Sequence, residues 1–198
     1  MSTAPHQQPV SVQDYLDGEK LARRKHEFVA GNIYAMAGAT TSHNRIATNA
    51  TGLLHSQLRD KTCEVFNSDM KVRVRQKYDT RFYYPDLSVV CEPNAQTETF
   101  HDRPVVIVEV ISESTRRTDE HEKRDAYLSI DALCVYVLLE SSSAAAVVYR
   151  RRDEGFDRET YLGIDAVILL PEIDANLTLA QVYAKVKFEP IVEEDIDQ

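Results

Sequence analysis

Two apolar runs rich in β-branched residues constrain this chain most, because each places one carboxylate inside a predicted strand. Asp86 lies near the start of the run at 84–90, and Glu109 lies in the second half of the run at 104–112. An ionised carboxylate is costly to bury unless another group compensates its charge. If the strands are neighbours, both carboxylates can converge on one divalent cation. Alternatively, each faces solvent or pairs with an arginine.

The segment after Glu109 predicts a helix from about Thr115 to Ser129 that can carry further site residues. Ser114 and Thr115 are typical N-cap residues. Asp119, Lys123 and Tyr127 follow at four-residue spacing, which places all three on one helical face. This face can turn back towards the strand ends, where α/β folds commonly hold their sites. Asp119 and Lys123 are equally well explained as an ordinary i, i+4 ion pair.

The rest of the chain predicts an α/β (α+β) fold with a central mixed sheet flanked by helices. Residues 132–139 form an unbroken apolar run, which is typical of a central strand buried on both faces. The N-terminal part predicts a helix capped by Ser11 and a hairpin around the turn at 30–32. Ser42 is the predicted cap of a helix that ends near Leu58, and Thr178 is the predicted cap of a closing helix. Further strands are predicted at 63–67, 69–76, 144–149, 158–162 and 167–169.

Three patterns together resemble the bacterial Uma-type endonuclease family, formerly a domain of unknown function. They are Pro-Asp at 85–86, Glu-Val-Ile-Ser at 109–112 and Asp-x-x-x-Lys-x-x-x-Tyr at 119–127. The segment at 26–34 and His43 extend this resemblance, which covers roughly residues 11–187. The family belongs to the PD-(D/E)XK superfamily, so the resemblance implies a restriction-endonuclease-like core. It also implies an enzyme that hydrolyses phosphodiester bonds of nucleic acid, with DNA as the expected substrate.

The resemblance implies roles for individual residues. Asp86 and Glu109, with the carbonyl of Val110, would bind Mg²⁺ or Mn²⁺, and Glu27 would be a further catalytic carboxylate. Lys123 would orient the attacking water or stabilise the developing charge. The supporting residues would be His43, Ser112, Asp119 and Tyr127.

Ile111 departs from the superfamily pattern, which usually has a lysine two positions after the second acid. The resemblance implies that Lys123 replaces it from the following helix, since a lysine on a flexible stem can reach the same point from another element. One alternative is a catalytically inactive binding or assembly module that keeps the fold. Another is a hydrolase that uses the same cation on a different substrate.

The formal net charge of −9 is unusual for a nucleic-acid enzyme, because affinity comes chiefly from cations that neutralise phosphates. A basic row can compensate locally: in a strand, alternation places its four residues on one face. They are Lys71, Arg73, Arg75 and Lys77. The same pattern is also typical of an edge strand that uses charge to prevent aggregation.

The remaining expectations concern the chain as a whole. We expect a flexible N-terminus at 1–10, a single domain at 11–188 and a disordered acidic tail at 189–198. We also expect a cytoplasmic location without membrane association, because long apolar runs and signal-peptide features are missing. Cys63, Cys91 and Cys134 are predicted to be reduced thiols and neither a disulfide nor a zinc site. A homodimer would suit cleavage of both DNA strands.

Overall fold

The computed structural model describes residues 9–36, 38–112 and 118–188, apart from the side chains of residues 118–120. Within these ranges the strands are β1 (His26–Val29), β2 (Asn32–Ala35), β3 (Glu64–Asn67), β4 (Lys71–Arg75), β5 (Thr80–Tyr83), β6 (Leu87–Val90), β7 (Phe100–His101), β8 (Pro104–Ile111), β9 (Val135–Glu140), β10 (Ala145–Arg152), β11 (Gly155–Leu162), β12 (Val167–Leu170) and β13 (Ala175–Thr178). The helices are α1 (Val12–Leu21), α2 (Thr41–Leu58), α3 (Arg124–Leu128) and α4 (Leu179–Val182). A π-helical turn, Thr118–Lys123, leads into α3, and a 3₁₀ turn, Pro171–Ile173, joins β12 to β13.

The strands form two main sheets and one small one. The six-stranded sheet has the order β11-β10-β9-β8-β6-β3, and the five-stranded sheet has the order β2-β1-β5-β4-β7. In the six-stranded sheet β8 and β9 are parallel, whereas the other neighbouring pairs are antiparallel. This arrangement confirms the predicted mixed sheet with flanking helices, an added N-terminal helix and hairpin, and added C-terminal strands.

The central strand β9 is buried on both faces, as its apolar sequence predicts. Val137 and Leu139 pack in one core cluster, while Tyr136 and Leu138 pack in a second cluster on the other face. α2 covers the first face through Ile46 and its buried neighbours along the helix. The helix is capped by Thr40 and not by the predicted Ser42, since the Thr40 hydroxyl accepts the His43 backbone N–H at 3.2 Å.

The N-terminal helix and hairpin form as predicted. Ser11 caps α1 by accepting the Asp14 backbone N–H, and Phe28 lies opposite Ile33 in the β1–β2 pair. The turn requires glycine at Gly31, whose φ is +89° and where an added Cβ would lie 2.5 Å from Cβ of Pro9. This hairpin matters for the site because β1 carries Glu27.

Several predicted elements differ in the structure. The predicted helix at 115–129 is, in its described part, the π-helical turn followed by the five-residue α3, and its predicted cap at 114–115 lies outside the described residues. The closing helix contains only Leu179–Val182 and ends at Tyr183. The Tyr183 hydroxyl lies 2.8 Å from the carbonyl oxygens of both Glu140 and Ala145, which share its single proton. The predicted strands also omitted β5, β7 and β13. β7 has two residues and pairs with β4, which lies much earlier in the chain, so its own sequence carries little periodic signal. β13 is a four-residue strand that forms a hairpin with β12 across the 3₁₀ turn.

The prediction that all three cysteines are reduced is wrong for two of them. Cys63 and Cys91 form a disulfide, because β3 and β6 pair antiparallel and the two cysteines directly extend the register of Glu64 opposite Val90. Cys134 is a free, half-buried thiol, as predicted. Most of the predicted flexible N-terminus and the whole predicted acidic tail lie outside the described residues. None of the described helices is long and apolar enough to cross a membrane.

Candidate active site

Asp86 and Glu109 meet where β6 begins beside the second half of β8. Asp86 immediately precedes β6, and the register of Leu87 opposite Val108 places it next to Glu109. The Asp86 backbone N–H donates to Oε2 of Glu109 at 3.1 Å. The Val110 backbone N–H donates to Oδ2 of Asp86 at 2.7 Å. Each carboxylate is therefore held by the strand that carries the other.

Lys123 brings a positive charge to these carboxylates. It ends the π-helical turn, and its Nζ lies 2.9 Å from Oε1 of Glu27 and 3.6 Å from Oε1 of Glu109. Glu109 is 4% exposed and Lys123 is 8% exposed, so their interaction is shielded from solvent. The structure thus assembles the four predicted catalytic residues from β1, the start of β6, β8 and the turn before α3.

Tyr127 fixes the other side of Glu109. Its hydroxyl donates to Oε1 of Glu109 at 3.2 Å, and its ring packs edge-on against Tyr83 and Tyr136. Burial, followed by the negative charge of Glu109, raises the pKa of Tyr127 well above its usual value. Tyr127 therefore keeps its proton and acts as a hydrogen-bond donor that orients the carboxylate.

His43 supports Asp86 from the first turn of α2. Its Nε2 lies 2.9 Å from Oδ1 of Asp86, and both side chains are 16% exposed. The predicted role of His43 near the site is therefore compatible with its position. Ser112 directly follows β8 and is half-buried, whereas the side chain of Asp119 lies outside the described part of the chain. Ile111 is fully buried in the core cluster that contains Tyr127.

The four predicted phosphate-binding residues do not form one exposed basic row. Lys71 is 5% exposed, and burial lowers its pKa although Glu19 opposes the shift. Arg73 makes two 2.7 Å hydrogen bonds to Asp102. Arg75 and Lys77 are exposed. β4 is also not an edge strand along its whole length, because it lies between β5 and the short β7.

The sequence reasoning missed two residues behind the site, Tyr84 and Glu19. The Tyr84 backbone N–H donates to Oε1 of Glu27 at 3.4 Å, and its hydroxyl donates to Oε1 of Glu19 at 2.9 Å. Tyr84 therefore links Glu27 to a second, largely buried carboxylate. Its position directly before Pro85-Asp86 was an available signal, whereas Glu19 lies in α1 and only the tertiary structure brings it here.

The donor chemistry of the site fits Mg²⁺ or Mn²⁺. Its ligand candidates are oxygens, which hard divalent cations prefer. Asp86 and Glu109 each accept hydrogen bonds, yet a carboxylate oxygen has two lone pairs and can accept a cation as well. Among the described residues, no group of three or more His, Cys, Asp or Glu side chains is arranged to hold a metal ion. Two carboxylates suffice for Mg²⁺ when waters and substrate phosphates complete its coordination.

Comparisons with known proteins agree on one family. The chain is a mixed α/β protein with a buried carboxylate and lysine cluster at its strand ends, and it belongs to the family Uma2, "Putative restriction endonuclease", whose model matches residues 12–181. Two relatives from Synechocystis sp. are the uncharacterized proteins slr1290 and sll1609. The first is 35% identical and spans 71% of this chain and 73% of its own length. The second is 32% identical, and the match covers 66% of this chain and 75% of the relative.

A solved structure shares the fold. It is the crystal structure of "a putative nuclease belonging to DUF820" from Anabaena variabilis, with a TM-score of 0.70. The match covers 88% of this chain and 98% of the other, at 16% sequence identity. The restriction-endonuclease-like resemblance seen in the sequence is therefore confirmed for both family and fold.

Proposed function

We propose that this protein is a divalent-metal-dependent nuclease that hydrolyses phosphodiester bonds, with DNA as the expected substrate. The observation that carries the proposal is the buried Lys123 ammonium between Glu27 and Glu109, beside the interlocked Asp86. A lysine next to two carboxylates suits phosphoryl hydrolysis, because its positive charge can stabilise the negative charge that develops on the phosphoryl oxygens. The family match supports this reading.

Asp86 and Glu109, with the carbonyl of Val110, would hold Mg²⁺ or Mn²⁺, which when bound polarises a phosphoryl oxygen and activates a water. Lys123 contributes a fixed positive charge that stabilises the negative charge of the transition state. Glu27 holds the Lys123 ammonium in place at 2.9 Å. His43 orients Asp86, and Tyr127 orients Glu109.

The proposal is tested by calorimetric titration of Mn²⁺ and Mg²⁺ into the parent protein and into Asp86→Ala and Glu109→Ala. Glu92→Ala is the matched control, because Glu92 is 73% exposed and pairs with Arg103 away from the site. Binding to the parent and the control that is lost in both site variants is the expected result. Cleavage of single-stranded DNA, duplex DNA and RNA is then measured with the same four proteins.

The alternative of an inactive module predicts a different outcome. A parent protein that binds no metal at millimolar concentration, with nucleic acid absent or present, would refute the nuclease proposal. Including nucleic acid matters because substrate phosphates can complete a magnesium site. Cleavage by Asp86→Ala at the parental rate would refute it as well.

A homodimer, which would place two such sites on opposite strands, is tested by sedimentation of the parent with and without duplex DNA.

A further inference from the structure

A basic cleft lies beside the candidate active site on the same face of the six-stranded sheet. Its volume is about 190 Å³, and it is lined by His121, Arg124, Leu138, Val147, Tyr149 and Arg158. The guanidinium of Arg124 lies 5.8 Å from the centre of the Tyr149 ring. It also donates to Oδ1 of the neighbouring Asp125 at 2.7 Å, an exposed carboxylate that a phosphate ligand would have to compete with. Among these described lining residues three are basic and none is acidic, although the chain as a whole carries a net charge of −9.

The strand registers connect the cleft directly to Glu109. Glu109 lies beside Leu138, and Leu138 lies beside Val147, so these residues form one row across β8, β9 and β10. Arg158 on β11 lies beside Tyr149 of β10. Since neighbouring strands are about 4.8 Å apart, the cleft begins at Leu138, roughly 5 Å from Glu109, and reaches β11 at roughly 15 Å. The roughly 10 Å between these two points corresponds to about three nucleotides of one strand at roughly 3.4 Å each.

The alternation of β11 keeps its acids out of the cleft. Asp157 and Glu159 flank Arg158, so their side chains point to the opposite face of the sheet. There Asp157 pairs with Arg152 at 3.1 Å, and Glu159 pairs with the largely buried Arg150 at 2.8 Å. Arg158 is exposed and donates a hydrogen bond to the Thr160 hydroxyl at 3.0 Å. Within the described residues it has no carboxylate partner, so its charge faces the cleft.

We propose that this cleft binds a backbone phosphate of the nucleic-acid strand that enters the Asp86–Glu109 site, with Arg124 and Arg158 as the phosphate ligands. The guanidinium groups match phosphate geometry, and His121 adds a further hydrogen-bonding group at the rim. Leu138 and Val147 form an apolar floor suited to the adjoining sugar. This inference rests on the proposed function, because the ligand of the cleft is the substrate strand of that nuclease. The position of the cleft sets the direction in which the strand crosses the sheet.

The test measures nucleic-acid binding with catalysis switched off. Short fluorescein-labelled single-stranded DNA, its duplex and the matching RNA are titrated with protein in EDTA at several salt concentrations, and anisotropy is recorded. Arg124→Ala and Arg158→Ala are each expected to raise Kd roughly three- to tenfold. Each should lower the slope of log Kd against log salt by about 0.7 to 0.9, because one phosphate contact is lost. Arg158→Lys should retain the parental salt slope.

Arg103→Ala is the matched control, because Arg103 has a 58% exposed side chain and precedes the end of β8 remote from Glu109. The proposal would be overturned if the two cleft variants had the same Kd values and salt slopes as Arg103→Ala. A parent protein that binds none of the three probes would overturn the proposal too. If the cleft variants bind more weakly but the parent cleaves nothing with Mn²⁺, the subsite stands and the nuclease proposal fails. If the parent cleaves while the variants bind normally, only the subsite fails.

Discussion

The ammonium of Lys123 lies 2.9 Å from Oε1 of Glu27, and this ion pair joins the two main sheets at the candidate active site. Glu27 belongs to β1 of the five-stranded sheet, whereas Lys123 follows β8 of the six-stranded sheet. The side chains are 10% and 14% exposed. Lys123 therefore takes its position from two separate parts of the fold, and neither helical spacing nor strand alternation alone specifies it.

Lys123→Ala should reduce turnover about 10²- to 10³-fold while changing the Kd for Mn²⁺ less than about threefold. The reason is that Lys123 stabilises developing charge and is not a metal ligand. Steady-state cleavage and calorimetric titration measure the two effects separately. Asp86→Ala is the comparison, because it should abolish both metal binding and turnover. Equal loss of metal affinity in the two variants would contradict this division of roles.

Removing Lys123 also leaves Glu27 and Glu109 close together without its charge, so folding must be checked. Lys123→Met keeps most of the side-chain volume and separates loss of charge from loss of packing. Both variants should retain the parental circular dichroism spectrum. If Lys123→Met cleaves at the parental rate, the ammonium has no part in the reaction.

Tyr127→Phe should lower the free energy of unfolding by about 1–2 kcal/mol, because it removes a hydrogen bond to the buried carboxylate of Glu109. Turnover should fall roughly tenfold, as Glu109 loses a group that orients it. Urea unfolding and cleavage assays measure these effects. Tyr161→Phe is the control: it also removes a hydrogen bond to a carboxylate, that of Glu159, but far from the site. A loss of turnover of the same size in Tyr161→Phe would argue against an orienting role for Tyr127.

The Arg73–Asp102 pair should make stability depend on acidic pH. Burial of Asp102 opposes its ionisation, but the hydrogen bonds and charge of Arg73 outweigh burial and lower its pKa below the ordinary 3.8. The folded state therefore holds the carboxylate ionised at lower pH than the unfolded chain does. The resulting stability is present above pH 3.8 and is lost as the pH falls through the lower folded pKa.

Asp102→Asn should accordingly be less stable than the parent by about 1 kcal/mol at neutral pH, and the two proteins should converge in strong acid. Urea unfolding between pH 7 and pH 2 measures the difference. Asp17→Asn is the control, since its pair with Lys20 is exposed. A difference that stays constant across the acidic range would show that the pair does not titrate with folding.

Reduction of Cys63–Cys91 should lower the free energy of unfolding by about 3–4 kcal/mol, because the bond closes a loop of 28 residues in the unfolded chain. Thiol titration of the denatured, unreduced protein should find one thiol, Cys134, and three after reduction. Cys63→Ala should have the lower free energy of unfolding even without reductant. The free energy of unfolding of Cys134→Ala should still fall when reductant is added. Three thiols before reduction would contradict the disulfide.

Local patterns in the sequence were enough to predict many of the elements. The β-branched content of residues 104–112 predicted β8 with Glu109 inside it, and the apolar run at 132–139 predicted the buried β9. The turn at Gly31 and the spacing in α2 predicted the hairpin and the long helix. Periodicity reports which side of one element is apolar, so these predictions needed no knowledge of neighbours.

Contacts between distant elements were decided only by the tertiary structure. The sequence placed Lys71 and Arg73 on one strand face, but packing against Tyr84 buried the first and Asp102 paired with the second. Strand order brought Cys63 beside Cys91. The chain by itself determined which residues could carry charge into a strand. Strand order, register and the joining of two sheets determined which charges meet, because burial and electrostatic pairing depend on distance in space and not on separation along the chain.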